Sequence, residues 1–234
     1  MARKPQPPRS APKQPPALPP PTGTDRDKII AAFMGLIGEK RFEEIGFGEI
    51  AQRSGLTLAN CRAAFGSTLA VYAAHVKELD RKVLASASGD MAEEPPRERL
   101  FDVLMRRIEA MAPYREATRS LLKSVSRNPG LALALNGLAV RSQAWMLTAA
   151  DIDAAGPRGA IRAQGLAMLF ASVLRTWVDD EDDNARTMAA LDRALARGQR
   201  MSGMLDDLCR FSPARCRSRF RRDDAGTGET PAAA

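Results

Sequence analysis

The sequence has very few of the residues from which metal sites, disulfides and enzyme active sites are built. It contains a single histidine, His75, in 234 residues. Its three cysteines, Cys61, Cys209 and Cys216, are odd in number and show no Cys-x-x-Cys spacing, which argues against a zinc site or a disulfide framework. No Gly-x-Ser-x-Gly sequence and no glycine-rich phosphate loop is present. We therefore expect no enzyme activity, no metal and no cofactor.

Long apolar runs are also missing, and aromatic residues make up only 5% of the chain. Without a run of about 18 apolar residues, no membrane-spanning helix is predicted. The N-terminus lacks the apolar segment of a secretory signal, so we expect a cytoplasmic protein. Alanine, leucine, arginine, glutamate and methionine are abundant, and they are good helix formers. The composition therefore predicts an all-α fold.

The net charge of +7 comes from the two ends of the chain. Residues 1–23 contain four basic residues and no acidic one, and residues 210–234 contain six arginines and three acidic residues. This leaves 25 basic and 25 acidic residues between them. A DNA-binding protein usually presents a basic surface, because neutralising phosphates supplies much of its affinity. Charge alone is thus a weak indication of DNA binding.

The composition also predicts how the chain is divided. Nine of the sixteen prolines lie within residues 5–21, so we predict a disordered, proline-rich basic tail over residues 1–23. Residues 210–234 are predicted to be a disordered, arginine-rich tail. The sequence Glu94-Pro95-Pro96 is the expected boundary between two folded domains, residues 24–90 and 97–209.

Apolar residues recur at three- and four-residue spacing through both domains, which predicts about nine helices. Four belong to the first domain. The acidic run at residues 179–183 is expected to cap the last helix of the second domain, because carboxylates are favoured at the positive end of a helix dipole. The helices of the second domain are predicted at residues 97–111, 114–127, 131–151, 159–178 and 184–209.

Residues 47–65 have the pattern of a helix-turn-helix. Ile50 and Ala51 face inward on a first short helix, and Gly55 supplies the turn. Thr57 is placed to cap a second short helix that ends near Phe65. A second helix that crosses the first steeply is the unit that enters the major groove of DNA. The pattern also fits a helix pair that only packs within its domain, and both interpretations stay open.

On these residues the sequence resembles the TetR family of bacterial repressors. The resemblance includes Arg26 at the start of helix 1 and the aromatic Phe42, together with Ile50-Ala51, Gly55-Leu56-Thr57 and Phe65. It implies an N-terminal three-helix DNA-binding domain closed by a longer fourth helix. A C-terminal helical bundle for dimerisation and ligand binding would follow.

The resemblance also implies a function. The protein would be a transcriptional regulator that binds double-stranded operator DNA and is released from it by a small apolar effector. It would be a homodimer through residues 159–209, where the small residues Ala163, Gly165, Ala167 and Ala171 permit close helix packing. The residues implied at the DNA are Arg26, Thr57, Leu58, Ala59, Asn60, Arg62, Ser67 and Thr68.

Methionine and tryptophan residues of the second domain are candidates for the effector site. Methionine adapts to irregular apolar ligands, but the helical spacing of these residues fits an ordinary core equally well. Both interpretations are retained at this point. The six candidates are Met105, Met111, Trp145, Met146, Met168 and Trp177.

A second hypothesis follows from five departures from the family pattern, at Gly46, Ala59, Arg62, Ala64 and Thr68. Arg62 and Thr68 stand where the family commonly has a tyrosine and a lysine that hold phosphates. The alternative is therefore a TetR-fold protein that has lost sequence-specific DNA binding and binds lipid or a protein partner through its C-terminal bundle. Arg62 could compensate, since guanidinium binds phosphate or a guanine edge in bidentate fashion.

Overall fold

The computed structural model describes residues 23–86, 93–180 and 183–210, and of residues 201–210 it describes the backbone alone. The described residues form nine α-helices and no strand, which confirms the predicted all-α fold. The predictions for the two tails lie outside the described residues, apart from Gly23 and Arg210 at their inner ends.

We refer to the first four helices as the N-terminal domain and to the other five as the bundle, following the predicted boundary. The first four are α1 (Asp25–Glu39), α2 (Phe47–Ser54), α3 (Leu58–Ala64) and α4 (Thr68–Ala85). The bundle contains α5 (Pro96–Met111), α6 (Arg115–Arg127), α7 (Pro129–Ala149), α8 (Gly156–Trp177) and α9 (Ala185–Arg210). Both ends of each helix of the bundle lie within three residues of the predicted ends. Two 3-10 turns, Phe42–Glu44 and Ala112–Tyr114, join helices.

Side-chain caps fix where the early helices begin. At the start of α1, the hydroxyl and the backbone N–H of Thr24 each donate a hydrogen bond of 3.0 Å to Asp27 Oδ2. At the start of α4, Ser67 Oγ accepts from the N–H of Ala70 at 3.1 Å. These caps satisfy backbone groups that have no partner within the helix.

The first hydrophobic core surrounds α1. Ile29, Phe33 and Ile37 are fully buried along one face of this helix. The ring of Phe42 packs edge-on against Phe33, with 5.6 Å between the ring centres. Ile50 of α2 is also completely buried against this core. The apolar residues at helical spacing therefore face inward as expected.

Helix α6 follows α5 in the chain but completes this first core. Its residues Ala117 and Leu121 are buried in the same cluster as α1. Two hydroxyls add polar contacts: Ser120 Oγ donates to the carbonyl of Lys40 at 2.8 Å, and buried Ser124 Oγ accepts from the N–H of Phe42 at 3.2 Å. The bundle is thus joined to the N-terminal domain through α6.

The second core lies between α5, α7, α8 and α9. Leu104, Met146, Trp177 and Leu191 are completely buried there. The C-terminal half of α4 contributes Leu79 to the same cluster, so α4 takes part in both halves of the molecule. No helix in the described residues combines the length and the hydropathy that a membrane crossing requires.

Helix α9 packs against α8 and α5. Helix α4 leads away from α3, and α5 returns alongside it. Helix α9 first passes the end of α5, where Arg115 Nη2 donates to Asn184 Oδ1 at 3.3 Å. It then passes the start of α5, where Arg97 Nη2 contacts Asp192 Oδ1 at 2.5 Å.

Carboxylates cap the start of α9, as the acidic run predicted. Asp180 Oδ2 is buried and accepts from the N–H of Thr187 at 2.7 Å and from its hydroxyl at 2.6 Å. Asp183 Oδ1 accepts from the N–H of Ala185 at 3.1 Å. The two backbone N–H groups lie in the first turn of α9, where they have no acceptor within the helix, and the helix dipole also favours negative charge there.

Candidate nucleic-acid interface

Helix α3 is held in place by two buried side chains four residues apart. Cys61 is completely buried and Phe65, the residue that ends the helix, is almost so. The opposite side of α3 is open, and Leu58 is 58% exposed there. Asn60 and Arg62 are exposed as well. The helix thus presents one face to solvent while the other packs on α1 and α2.

The turn before α3 confirms the helix-turn-helix geometry. Gly55 ends α2 with φ of 71° and ψ of 20°, the left-handed conformation that glycine adopts at little cost. The N–H of Leu56 then donates to the carbonyl of Ala51 at 3.1 Å. Thr57 Oγ1 accepts from the N–H of Asn60 at 3.2 Å and so caps α3.

Arg26 joins the start of α1 to the end of α3. Its guanidinium carbon lies 4.4 Å from the centre of the Phe65 ring, which is a cation–π contact. Its Nη1 also donates to the carbonyl of Ala64 at 3.4 Å. These contacts give Arg26 a structural role. Because Arg26 is also exposed, it remains accessible for the DNA contact predicted for it.

The remaining predicted DNA contacts lie at the first residues of α3 and α4. Ala59 is exposed on the first turn of α3, and Ser67 is exposed as the N-cap of α4. Thr68 is the first residue of α4 and is half-buried. The structure thus places all eight predicted residues on or beside α3, and their contact with DNA stays a prediction.

Most basic side chains near α3 form ion pairs with carboxylates of the same domain. Arg53 binds the carboxylate of Glu39 with two contacts of 2.8 and 2.5 Å, and this hydrogen bonding lowers the pKa of Glu39. Lys40 pairs with Glu49 and likewise lowers the pKa of that carboxyl. Further pairs join Arg41 to Glu44 and Lys28 to Asp25.

Arg62 differs from these residues. It is exposed on α3 and forms no ion pair with another described residue. Its guanidinium is thus the cation of α3 that remains available to a ligand. Since guanidinium matches phosphate and guanine edges in bidentate geometry, Arg62 is the strongest candidate contact on this face.

The six residues predicted for the effector site do not surround one cavity. Met146 and Trp177 are completely buried in the bundle core, and Met105 is half-buried. Trp145 and Met168 are 58% and 66% exposed on the surface. Met146 and Trp177 are therefore core residues, and the role of the six residues in effector binding stays a prediction.

Met111 is the member of this group that lines an internal cavity. The cavity has a volume of about 30 Å³ and lies between α1, α4, α5 and α6. This volume holds about one water molecule and is far below the several hundred cubic ångströms of a drug-sized site. Sequence reasoning did not single out four of its polar or aromatic residues, which are Tyr72, His75, Arg107 and Tyr114.

The groups beside this cavity have strongly perturbed acid–base properties. Arg107 forms a buried ion pair with Asp80, and Ser142 Oγ donates to Asp80 Oδ1 at 2.7 Å. Burial lowers the pKa of His75 to about 3, with smaller effects from the charges of Lys82 and Arg107. Burial also raises the pKa of Tyr72 to about 12. His75 and Tyr72 are therefore both neutral at pH 7.

An N-terminal helix-turn-helix joined to an all-helical bundle is the architecture of TetR-type regulators, and solved structures show the same fold. A TetR transcriptional regulator from Nitrosomonas europaea ATCC 19718 is 22% identical, with a TM-score of 0.59 over 76% of this chain and 99% of that chain. A TetR transcriptional regulator from Rhodococcus sp. RHA1 is 19% identical, with a TM-score of 0.53 over 74% and 95%. No family model and no curated protein matches the sequence. This chain has the TetR fold.

Proposed function

We propose that the protein is a DNA-binding transcriptional regulator of the TetR type. The observation that carries the proposal is the way α3 packs. Cys61 and Phe65 bury one side of the helix, Thr57 caps its first turn, and the other side is exposed. A short, rigidly held helix with an open face is what a recognition helix requires. The shared fold of solved TetR regulators supports the same function.

In this proposal the exposed face of α3 enters the major groove. Asn60 and Arg62 contact base edges or phosphates, because amide and guanidinium groups match those donors and acceptors. The N-terminus of α4, at Ser67 and Thr68, lies against a phosphate, where its N–H groups and dipole favour negative charge. Contacts to phosphate position the protein, and contacts to bases select the sequence.

The proposed regulator is a homodimer through residues 159–209. An exposed stripe of α8 at three- and four-residue spacing supports this, and Ile161 and Met168 on it are 63% and 66% exposed. Gly165 lies between them on the same stripe and permits close approach. Ala163 and Ala167, which the sequence suggested for the interface, instead face the core of their own protomer and are almost completely buried.

The proposed release mechanism uses the cavity beside Met111. A small apolar effector would enlarge this cavity by displacing Met34 and Met111, whose unbranched side chains repack easily. Because the cavity touches α1, α4, α5 and α6, enlarging it would shift the bundle against the N-terminal domain. The effector would then favour a dimer geometry with lower affinity for DNA.

A second candidate function is a TetR-fold protein that binds a protein or lipid through its bundle and not DNA. The paired charges near α3 favour this alternative, because Arg53 and Lys40 are already neutralised by Glu39 and Glu49. The residual positive charge of this face is small for a DNA-binding surface.

A fluorescence titration separates the two candidates. The full chain is titrated against a duplex taken from DNA directly upstream of its own coding sequence and against a random duplex, over a range of salt. We expect preference for the upstream duplex and weaker binding of Arg62→Ala by about 1 to 3 kcal/mol. The matched control is Arg81→Ala, an exposed arginine further along α4 that pairs with Glu78. Equal binding to both duplexes would favour the second candidate.

A further inference from the structure

His75 is a buried polar side chain that lacks a hydrogen-bond partner. It lies on the inner side of α4 and is 5% exposed, and its ring forms no hydrogen bond with any described residue. A neutral imidazole has one nitrogen that donates and one that accepts. Buried groups of this kind are nearly always paired, because an unpaired one is costly. His75 is therefore a polar group that a bound molecule could satisfy.

His75 lines the internal cavity beside Met111, whose volume is about 30 Å³. Tyr72 and Tyr114 line the same cavity, and within the described part of the chain their hydroxyls have no hydrogen-bond partner either. The hydroxyl of Thr118, by contrast, already donates to the carbonyl of Tyr114 at 3.0 Å. Three polar side chains without partners thus surround a space that holds about one oxygen atom with its hydrogens.

Aromatic rings form much of the wall around this space. The ring of His75 meets that of Tyr114 edge-on, with 4.5 Å between the ring centres, and lies 6.2 Å from the ring of Tyr72. Met34 and Met111 also line the cavity, and such unbranched side chains repack easily. Because aromatic rings pack favourably edge to face, the wall suits an aromatic ligand.

The charges beside the cavity favour a neutral ligand. Arg107 is the charged residue among those that line it, and its guanidinium is paired with buried Asp80. Burial lowers the pKa of His75 to about 3 and raises the pKa of Tyr72 to about 12, so both side chains are neutral at pH 7. An ionic ligand would be buried without a counter-charge unless it broke the Arg107–Asp80 pair, and either event is costly.

We infer that this cavity binds a small phenol, whose hydroxyl pairs with His75 and whose ring packs against Tyr72 and Tyr114 once Met34 and Met111 have moved. The inference rests on the proposed function, which places an apolar effector in this cavity, and it names the chemical class of that effector. The phenolic O–H donates to the unprotonated nitrogen of His75. A compound of the same shape without a hydroxyl leaves His75 unpaired, and a site with an unpaired polar group discriminates against such a compound.

His75 also connects the cavity to the N-terminal domain. It belongs to α4, the helix that follows the helix-turn-helix. From His75 a series of ring contacts leads through Tyr72 and Phe42 to Phe33 of α1, with ring centres 6.2, 6.4 and 5.6 Å apart. A phenol that displaces the ring of His75 therefore acts on side chains that pack against α1.

Isothermal titration calorimetry at pH 7 tests the inference with phenol, toluene and benzoate. Phenol and toluene have the same shape and differ in a hydroxyl against a methyl group, whereas benzoate carries a charge. We expect the natural chain to bind phenol at least about tenfold more tightly than toluene, and to bind benzoate more weakly than either.

Variants of His75 show which group recognises the hydroxyl. His75→Leu and His75→Phe both remove the ring nitrogens, and each should bind phenol and toluene about equally. The second variant keeps an aromatic ring, so the test does not depend on the folding of one protein. The matched control is Arg81→Ala, on the same helix but exposed, which should keep the preference for phenol. Because the preference is a ratio measured within one protein, a general loss of stability does not imitate its loss.

The outcomes distinguish the inference from the function on which it rests. A preference for phenol that is lost in the His75 variants alone supports the inference. Equal binding of phenol and toluene by the natural chain would overturn it and leave the proposed apolar effector standing. A preference that persists without His75 would overturn it, since another group would then bind the hydroxyl, and so would tighter binding of benzoate. If none of the three compounds binds, the inference is wrong, while titration with the upstream duplex still decides the DNA-binding function.

Discussion

Arg107 of α5 and Asp80 of α4 form a buried ion pair in the interior of the molecule. Each residue is less than a tenth exposed, and Ser142 of α7 donates a further hydrogen bond of 2.7 Å to the Asp80 carboxylate. The pair therefore joins three helices at the level of the internal cavity that Arg107 lines. Since α4 leads directly from the helix-turn-helix, this contact ties the N-terminal domain to the bundle.

Removal of the Asp80 carboxylate should strongly destabilise the fold. In Asp80→Asn the guanidinium of Arg107 would stay buried without a counter-charge, which typically costs about 3 to 5 kcal/mol. For a chain of this length we expect the melting temperature to fall by about 6 to 20 °C. Thermal unfolding followed by circular dichroism measures this change.

The double variant Asp80→Leu with Arg107→Met tests the cause. It removes both charges together and should recover most of the stability lost in Asp80→Asn, because apolar replacement of a whole buried pair is often neutral. If the double variant is less stable than Asp80→Asn, the loss does not come from an unpaired charge.

His75 should make the protein less stable as the pH falls below neutrality. Its pKa in the folded protein is about 3, mainly because of burial, whereas an unfolded histidine has a pKa of about 6.5. Between these values the unfolded chain binds a proton that the folded chain does not, so unfolding becomes easier as the pH falls. This group alone should reduce the free energy of unfolding by about 1.5 kcal/mol from pH 6.5 to pH 5.

Urea unfolding of the natural protein and of His75→Gln at several pH values measures this contribution. The variant should show a flatter dependence over that range, because glutamine does not titrate. The carboxyls of Glu39, Glu44 and Glu49 have lowered pKa values and lose their contribution at lower pH, in both proteins alike. Parallel curves for the two proteins would show that His75 is not the group responsible.

Local signals in the sequence were sufficient for the helices and for the helix-turn-helix. Apolar spacing, the capping residue Thr57 and the turn at Gly55 act over a few residues, and the structure confirms each of them. These features depend on backbone geometry and neighbouring side chains alone. The same reasoning could not show whether the exposed residues of α3 bind DNA, since exposure is compatible with several partners.

Contacts between residues far apart in the chain could not be predicted from the sequence pattern. Apolar spacing in α6 showed that one face is buried, but it could not show that Ala117 and Leu121 pack on α1. Arg107 lies within an apolar stripe, and its partner Asp80 is 27 residues away in the chain. The exposure of Met168 was not predictable for a similar reason, because periodicity shows that it repeats with its neighbours but not which side faces the core.

The hydrogen bond between Ser124 and Phe42 should contribute measurably to stability. In Ser124→Ala the buried N–H of Phe42 would lose its acceptor, which is expected to cost about 1 to 3 kcal/mol. The matched control is Ser126→Ala, on the same helix, whose exposed hydroxyl donates to the carbonyl of Lys123. This control should change the free energy of unfolding by less than about 0.5 kcal/mol in a urea titration. Equal effects of the two substitutions would contradict a specific role for Ser124.

The exposed stripe of α8 should determine the oligomeric state. In Ile161→Asp a carboxylate would be buried in the proposed dimer interface, where an unpaired charge is strongly unfavourable. Because Ile161 is 63% exposed in the protomer, the substitution should leave the fold of each protomer intact. We expect the natural protein to sediment as a dimer of a 25.3 kDa chain and the variant to sediment as a monomer with an unchanged helical circular dichroism spectrum.

Leu133→Asp is the control for this prediction. Leu133 is 75% exposed on α7, outside residues 159–209, and replacing it introduces the same charge at a comparably exposed apolar site. This variant should remain a dimer in sedimentation equilibrium. If Ile161→Asp stays dimeric while Leu133→Asp becomes monomeric, the subunits associate through α7, and the assignment of the interface to residues 159–209 is wrong. Dissociation of Ile161→Asp alone would place Ile161 in the contact between subunits, because a charge that stays in solvent on a free surface has little effect on association.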